Sequence, residues 1–212
     1  MKKLFLLLVL SSNLFLAQSS SNDFEQANQL LSENKFSDAE SLFRKALKEK
    51  PDNLDFKSQL VLALINQNKN DEAEKNIIEI LKKDSSFPAA LWYGGLNNFQ
   101  KNVPDFRQAI SYFERFYQII DESSNQYFAV NFYIGRSYQN LLYTDGLSYD
   151  EVSRMLETYK KYVNLETDTE ATNRISNFIK KIEENRPGKN VKKWMIATTI
   201  PNAINEIKKE CE

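Results

Sequence analysis

Residues 36–47 read FSDAESLFRKAL, and residues 70–81 read NDEAEKNIIEIL. The two stretches align without a gap and place Ala39 and Ala73 at equivalent positions, 73 − 39 = 34 residues apart. Within each stretch the apolar residues recur at intervals of three and four, which is the spacing of one face of an α-helix. Self-similarity at a fixed interval of this length is typical of repeat proteins, in which each helical unit buries its apolar face against its neighbours.

Two further stretches continue the repeat. Residues 106–117, FRQAISYFERFY, place Ala109 at 109 − 73 = 36 residues after the second alanine. Residues 149–159, YDEVSRMLETY, place Val152 at 152 − 109 = 43 residues after the third alanine. The turn around 144–147 contains Gly and Asp and can absorb the longer last interval. The sequence therefore predicts about four copies of one helical unit, the fourth less regular than the others.

Each copy is preceded by another helical stretch with a small or slim residue near its middle, where two helices are expected to cross closely. These residues are Ala27, Val61, Gly95 and Gly135. Start signals of the capping-box type mark three helices, since a Ser or Asp oxygen and a Glu or Gln three residues later can satisfy the free N–H groups of a helix start. The pairs are Ser37 with Glu40, Asp105 with Gln108, and Ser148 with Glu151.

On these residues the chain resembles tetratricopeptide repeat (TPR) proteins over about residues 22–165. The first repeat matches the family pattern at Ala27, Phe36, Ala39, Phe43, Ala46 and Pro51, whereas the fourth departs from it with Val152 and a long internal turn. The resemblance implies an all-α, right-handed solenoid of helix hairpins, closed by one or two C-terminal capping helices.

The first residues have the pattern of a secretory signal peptide. Lys2 and Lys3 precede an apolar run from Leu4 to Leu10, and a small residue, Ala17, precedes a polar stretch. The apolar run is far shorter than the roughly 20 residues that span a bilayer. We expect residues 1–17 to be removed near Ala17–Gln18, which predicts an exported protein of the periplasm or the extracellular space.

The rest of the chain divides into a repeat domain with a capping helix, residues 18–186, and a tail, residues 187–212. Residues 170–185 carry apolar residues on one helical face and predict the capping helix. The tail carries Trp194 between lysines and apolar residues. Two interpretations stay open at this point: the tail packs back as an amphipathic last helix, which we favour, or it contacts a membrane interface or a membrane-protein partner.

Composition excludes several classes of function. The chain has no His, so a His-dependent catalytic triad and a His-ligated metal site are both excluded, and its single Cys, Cys211, cannot form an internal disulfide. Without residues 1–17 the chain holds 28 − 2 = 26 basic and 29 acidic residues, a net charge of −3, which argues against a nucleic-acid binder. No glycine-rich phosphate-binding motif is present. We therefore expect no enzyme, no cofactor and no metal.

In the family, the first helix of each repeat lines a concave surface that holds a peptide or a helix of a partner. Transferred to this sequence, the resemblance predicts a partner-binding groove lined by Phe24, Asn28, Leu62, Asn66, Trp92, Phe99, Phe132, Arg136 and Gln139. Leu96 is a further groove residue that the resemblance implies, and for Leu62, Leu96 and Phe132 a core position is an equal alternative. Of the residues of the two-carboxylate clamp of chaperone cofactors, only Asn28 fits. The other clamp positions hold Phe24, Ser58, Ala89 and Tyr93 in place of Lys and Arg, so binding of a chaperone tail is not expected.

Together these patterns predict a non-enzymatic scaffold that binds a protein or peptide through its groove, within an envelope assembly or a secretion complex. The alternative is a membrane-peripheral structural spacer that is anchored by its C-terminal tail. Binding through the convex face of the repeats is a further alternative, and the sequence leaves the oligomeric state open.

Overall fold

The computed structural model describes residues 22–165 and 169–196. This part of the chain is all-α, and the predicted fold class of repeated helix hairpins is confirmed. Its nine helices are α1 (residues 22–32), α2 (Phe36–Glu49), α3 (Leu54–Asn66), α4 (Asn70–Lys83), α5 (Pro88–Gln100), α6 (Phe106–Tyr117), α7 (Asn125–Thr144), α8 (Tyr149–Leu165) and α9 (Glu170–Asn185). The chain divides into two compact units between Asn102 and Val103.

In the first unit, the turns within the first two hairpins have the same structure. Asn34 and Asn68 are 68 − 34 = 34 residues apart and adopt left-handed backbone conformations with φ of 59° and 57°. Asn tolerates this conformation better than most other residues that have a side chain. After each Asn, the amide of Lys35 or Lys69 donates to the carbonyl five residues earlier, at 2.8 and 2.9 Å. The 34-residue period read from the sequence is therefore repeated in the backbone.

The alanines that defined the period lie in the core of the first unit. Ala39 and Ala73 have no exposed surface, and large side chains such as Phe43, Leu64 and Ile77 fill the space around them without exposure. A methyl group at the alanine positions allows neighbouring helices to approach closely, since the interior of a protein has little free volume.

The helices of the first unit form two layers. Phe24 of α1 stacks on Phe56 of α3 with ring centroids 4.4 Å apart, and Tyr93 of α5 hydrogen-bonds with Gln59 of α3. We call α1, α3 and α5 the first-helix layer. Contacts between α2 and α4 define the second-helix layer, in which an Nη of Arg44 lies 2.5 Å from a carboxylate oxygen of Glu72.

The second unit is organised around α7, which packs against α6 and α8. Gly135 of α7 faces the ring of Tyr159 of α8, and a Cβ at this position would lie 2.5 Å from a ring carbon. The prediction that Gly135 marks a close helix crossing is therefore confirmed. Arg154 of α8 donates two hydrogen bonds of 2.8 Å to the carboxylate of Glu114 of α6, and this bidentate pair fixes the two helices relative to each other.

One of the three predicted capping boxes forms in full, and a second forms only in half. Asp105 accepts a hydrogen bond from the amide of Gln108 at 3.0 Å, and Ser148 and Glu151 exchange hydrogen bonds between side chain and backbone. The prediction for Ser37 is wrong, because α2 begins at Phe36, so Ser37 already lies inside the helix. The left-handed turn at Asn34 starts this helix instead.

The predicted capping helix is confirmed as α9. It packs against α8 and buries one apolar face, formed by Ile175, Ile179 and Ile182. The ring of Phe178 meets the ring of Tyr159 edge to face, with centroids 6.0 Å apart. This helix therefore covers the apolar surface of α8.

Residues 189–196, the C-terminal strap, are not helical: they begin in a turn and contain one β-bridge residue, Trp194. Leu147 and Trp194 form an antiparallel bridge with N–H···O distances of 2.7 and 2.8 Å, and the amide of Ile196 donates to the carbonyl of Leu142 at 3.1 Å. The Trp194 side chain packs on the apolar core of the second unit. The tail packs back, as we favoured, but as a strap in its described part. Residues 197–212, like the expected signal peptide, lie outside the described residues.

Candidate partner-binding face of the first-helix layer

Four of the predicted groove residues of the first unit lie on the sides of α3 and α5 that turn away from the buried core. Leu62 is half-buried and Asn66 is exposed, four residues apart on α3. Trp92 and Phe99 are half-buried and lie seven residues apart, two turns of α5. With the half-buried Asn28 of α1, these residues give the face a mixed apolar and amide surface. We call this set the candidate face.

Phe24 is different, because its ring packs mainly within the unit. It stacks on the buried Phe56 and meets the fully buried Phe43 at a centroid distance of 5.8 Å. Its half-buried ring holds α1 against α2 and α3, so the structure assigns Phe24 a packing role beside any contact with a partner. Leu62 has only part of its surface buried, unlike its neighbours Val61 and Ala63, which have no exposed surface.

A buried polar network that was not predicted from the sequence fixes α5 against α4. Asn97 and Asn98 are 1% and 3% exposed, and the side-chain amide of each donates to the same oxygen of Glu74, at 3.0 and 2.9 Å. Asn70 donates to the Oδ1 of Asn97 at 2.9 Å. Because these groups are buried and paired, they hold α5 in one rotational position. In that position Trp92 and Phe99 are half-buried.

The two layers of the first unit differ in their content of charged residues. Helix α5 has no charged residue, whereas α2 and α4 carry six and seven among 14 residues each. Residues 22–32 contain no Lys or Arg, and Lys57 of α3 is bound to Glu79 of α4 at 2.6 Å. The candidate face is therefore neutral at its centre, while the second-helix layer is covered with ion pairs such as Lys69 with Glu40 at 2.6 Å.

The three predicted groove residues of the second unit lie on α7. The ring of Phe132 packs on Tyr162, with centroids 5.2 Å apart, against the core of that unit. Gln139 accepts hydrogen bonds from the hydroxyl of Tyr159 and, at 3.3 Å, from Arg136. For Phe132 the structure favours the core alternative, and Arg136 and Gln139 are tied to each other within one helix.

A second group that the sequence analysis missed joins α6, α7 and α8. The hydroxyl of Tyr117 lies 3.0 Å from the hydroxyl of Tyr127 and accepts a hydrogen bond of 2.6 Å from Lys161. Burial raises the pKa of Tyr117, but the hydrogen bonds from Lys161 and Tyr127 outweigh it and leave this pKa below its usual value. The same contact raises the pKa of Lys161. With the guanidinium of Arg154 4.6 Å from the centre of the Tyr117 ring, the group ties three helices together.

Within residues 22–165 and 169–196 no three His, Cys, Asp or Glu side chains are placed to share a metal ion. No helix in these ranges is long and apolar enough to cross a membrane. A shallow hollow lies between Tyr149, Val152 and Trp194, and the guanidinium of Arg186 stacks over the Tyr149 ring at 3.6 Å beside it. This stacking attaches the end of α9 to α8.

Comparison with known proteins supports the repeat and the fold. Residues 30–92 match the family model of the tetratricopeptide repeat. The chain has the fold of a tetratricopeptide repeat protein. The chain is similar to the crystal structure of MamA protein, with a TM-score of 0.63 and 15% identity over 91% of this chain and 90% of that one.

Two further solved structures share the fold. One is a tetratricopeptide repeat protein from Parabacteroides merdae, with a TM-score of 0.61 and 13% identity over 79% of this chain and 61% of that one. The other is a thermophilic TPR protein from Thermus thermophilus, with a TM-score of 0.56 and 17% identity over 78% of this chain and 86% of that one. No curated protein matches the sequence. At these identities the structures establish the fold alone.

Proposed function

We propose that this TPR chain is a non-enzymatic scaffold that binds a protein or peptide partner through the candidate face. One observation carries the proposal: α5 presents Trp92, Leu96 and Phe99 half-buried on a helix without a single charge. Large apolar groups in the middle of a surface contribute most of the affinity in protein interfaces. The amides of Asn28 and Asn66 beside them can bond to the polypeptide backbone of a partner.

We further propose that the scaffold works outside the cytoplasm, in the periplasm or as a secreted protein, within an envelope assembly or a secretion complex. This part rests on the signal-peptide pattern of residues 1–17. Expression of the full-length sequence in a bacterial host tests it by mass spectrometry of the intact protein. If residues 1–17 are cleaved, the envelope or medium fraction should contain a protein with the mass of a chain that begins at Gln18. Uncleaved protein in the cytoplasm would contradict export.

The membrane-peripheral spacer is the weaker of the two functions. In this hypothesis the tail around Trp194 is the membrane anchor. Trp194, however, pairs with Leu147, and its side chain packs on the core of the second unit, so less of the ring is available for contact with a membrane. Sedimentation with anionic liposomes, with and without residues 190–212, separates the two functions. Binding to liposomes that depends on this segment would favour the spacer.

The experiment for the scaffold is an affinity capture from envelope extract. The full-length sequence is expressed, and the exported protein is used beside a Trp92→Ala/Phe99→Ala variant. A matched control, Ile78→Ala, removes an apolar side chain that is 43% exposed on α4, in the opposite layer. Circular dichroism confirms that all three proteins are equally helical.

The proposal predicts a partner that is retained by the Ile78→Ala control and lost by the Trp92→Ala/Phe99→Ala variant. Loss by the control and retention by the α5 variant would place binding on the second-helix layer. A third variant, Arg136→Ala, tests whether α7 of the second unit contributes to binding.

A further inference from the structure

We propose that the candidate face selects an uncharged, extended peptide segment with apolar side chains and discriminates against segments that carry carboxylates. This inference rests on the proposed function and specifies its ligand. It concerns the first unit alone, where the face is formed by one layer of three helices.

The charges on the first-helix layer are wrong for an acidic ligand. Lys57 is the one basic residue of α1, α3 and α5, and its ammonium group is bound to Glu79 at 2.6 Å. The acidic residues Glu25 and Asp55 on the same helices are exposed. A carboxylate moved from water onto this face would lose hydration without gaining a cation from α1, α3 or α5.

The polar groups of the layer suit a peptide backbone. Asn28, Gln59 and Asn66 lie along α1 and α3, and a side-chain amide carries both donors and an acceptor. An extended segment exposes unpaired N–H and C=O groups along its length, and neutral amides can pair with both. Asn66 is anchored by a hydrogen bond of 2.9 Å from its own Nδ2 to the carbonyl of Leu62, which restricts the side chain on the exposed side of α3.

The apolar stripe provides the other half of the selection. Trp92, Leu96 and Phe99 are partly buried in the unit, so each needs to lose only its remaining exposed surface on binding. The paired network of Asn97, Asn98 and Glu74 behind them fixes the helix before the ligand arrives, so little conformational entropy is lost on binding. Binding of this kind depends on apolar contact and neutral hydrogen bonds, and salt screens neither.

The test uses a phage-displayed library of random 12-residue peptides, panned on the exported protein. Peptides whose binding is lost with Trp92→Ala/Phe99→Ala and kept with Ile78→Ala are synthesised. We expect them to be depleted of Asp and Glu relative to the input library. Their Kd should change less than about twofold between low and high salt, since no ion pair is screened. A single central Glu should weaken binding about tenfold or more.

An Asn66→Lys variant tests the charge argument without disturbing the fold. Residue 66 is exposed and ends α3, where a cation is compatible with the helix dipole. The variant should recover most of the affinity for the Glu-containing peptide, and high salt should abolish the gain.

Each outcome decides one of the two proposals. Peptides that depend on Trp92 and Phe99 but are rich in Asp and Glu would overturn the selection for neutral ligands and leave the scaffold function intact. No gain for the Glu-containing peptide with Asn66→Lys would also overturn it. If panning gives no peptide that depends on these two residues, the inference fails. The scaffold function is then decided separately, by whether the Trp92→Ala/Phe99→Ala variant loses the partner in the affinity capture.

Discussion

The ring of Tyr159 lies against the backbone of Gly135, so close that a Cβ at residue 135 would be 2.5, 2.7 and 2.9 Å from three ring carbons. Tyr159 has no exposed surface, and its hydroxyl donates a hydrogen bond to Gln139, which leaves the ring little room to move. The contact joins α7 to α8 at the centre of the second unit.

This contact predicts that Gly135→Ala destabilises the protein, although alanine is the better helix former. The methyl group would displace the ring, and such overpacking costs about 1–3 kcal/mol. Urea unfolding followed by circular dichroism measures the change. A Gly135→Ala/Tyr159→Leu double variant should lose less stability than the sum of the two single variants, and strict additivity would contradict the account.

The C-terminal strap should contribute to the stability of the second unit. Because Trp194 is half-buried on the core, Trp194→Ala should cost about 1–3 kcal/mol, less than a fully buried Trp. The neighbouring Met195 is 54% exposed, so Met195→Ala is the matched control and should change the free energy of unfolding by less than about 0.5 kcal/mol. Equal effects of the two substitutions would mean that the strap does not pack in solution.

The buried amides behind α5 should stabilise the first unit. Asn98→Ala removes the bonds from its Nδ2 to Glu74 and to the carbonyl of Gly94, and the loss should be about 1–3 kcal/mol. The control is Asn76→Ala, since Asn76 bonds only along its own helix, to the carbonyl of Glu72. Thermal unfolding of both variants measures the difference. A control as unstable as Asn98→Ala would show that the shared Glu74 contact contributes nothing.

Glu40 should contribute to the acid sensitivity of the fold. Burial raises the pKa of this carboxyl, but hydrogen bonds from Lys69, Gln67 and Arg44 outweigh it and leave the pKa below its usual value. A lowered pKa in the folded state stabilises the protein above the unfolded pKa of about 4.3, and the contribution is lost as the pH falls through the folded value. The free energy of unfolding of Glu40→Gln should therefore fall less steeply below about pH 4.5 than that of the unchanged protein. Identical slopes would contradict this role.

The repeat was predictable because it depends on local spacing. The period between Ala39 and Ala73, the apolar faces of the helices and the crossing at Gly135 follow from side-chain size and helical periodicity. The start of α2 was not predicted correctly. Asn34 has a positive φ, and the helix after this turn begins at Phe36, one residue before Ser37.

The missed features depend on contacts between distant residues. Periodicity treats Asn97 and Asn98 as surface residues, and only the packing of α4 brings Glu74 to them. In the strap, Trp194 pairs with Leu147, 194 − 147 = 47 positions earlier in the chain. The apolar pattern around Trp194 predicted a helix, because spacing along the chain cannot show this pairing. For the candidate face, the sequence predicted groove residues on α3 and α5, and Leu62, Trp92 and Phe99 are half-buried in the structure. The sequence could not show that the rings of Phe24 and Phe132 pack within their units, Phe24 on Phe56 and Phe132 on Tyr162.

The most direct test of the candidate face uses the two tryptophans of the chain, one on the face and one on the strap. In a Trp194→Phe variant, the fluorescence of Trp92 alone reports on its surroundings. Titration with the captured partner or a selected peptide should shift the Trp92 emission to shorter wavelength, with the same Kd as calorimetry, because the indole loses water on binding. In the converse Trp92→Phe variant, Trp194 should stay silent. If calorimetry detects binding while Trp92 does not respond, or if Trp194 responds in its place, the partner binds elsewhere and the central claim is wrong.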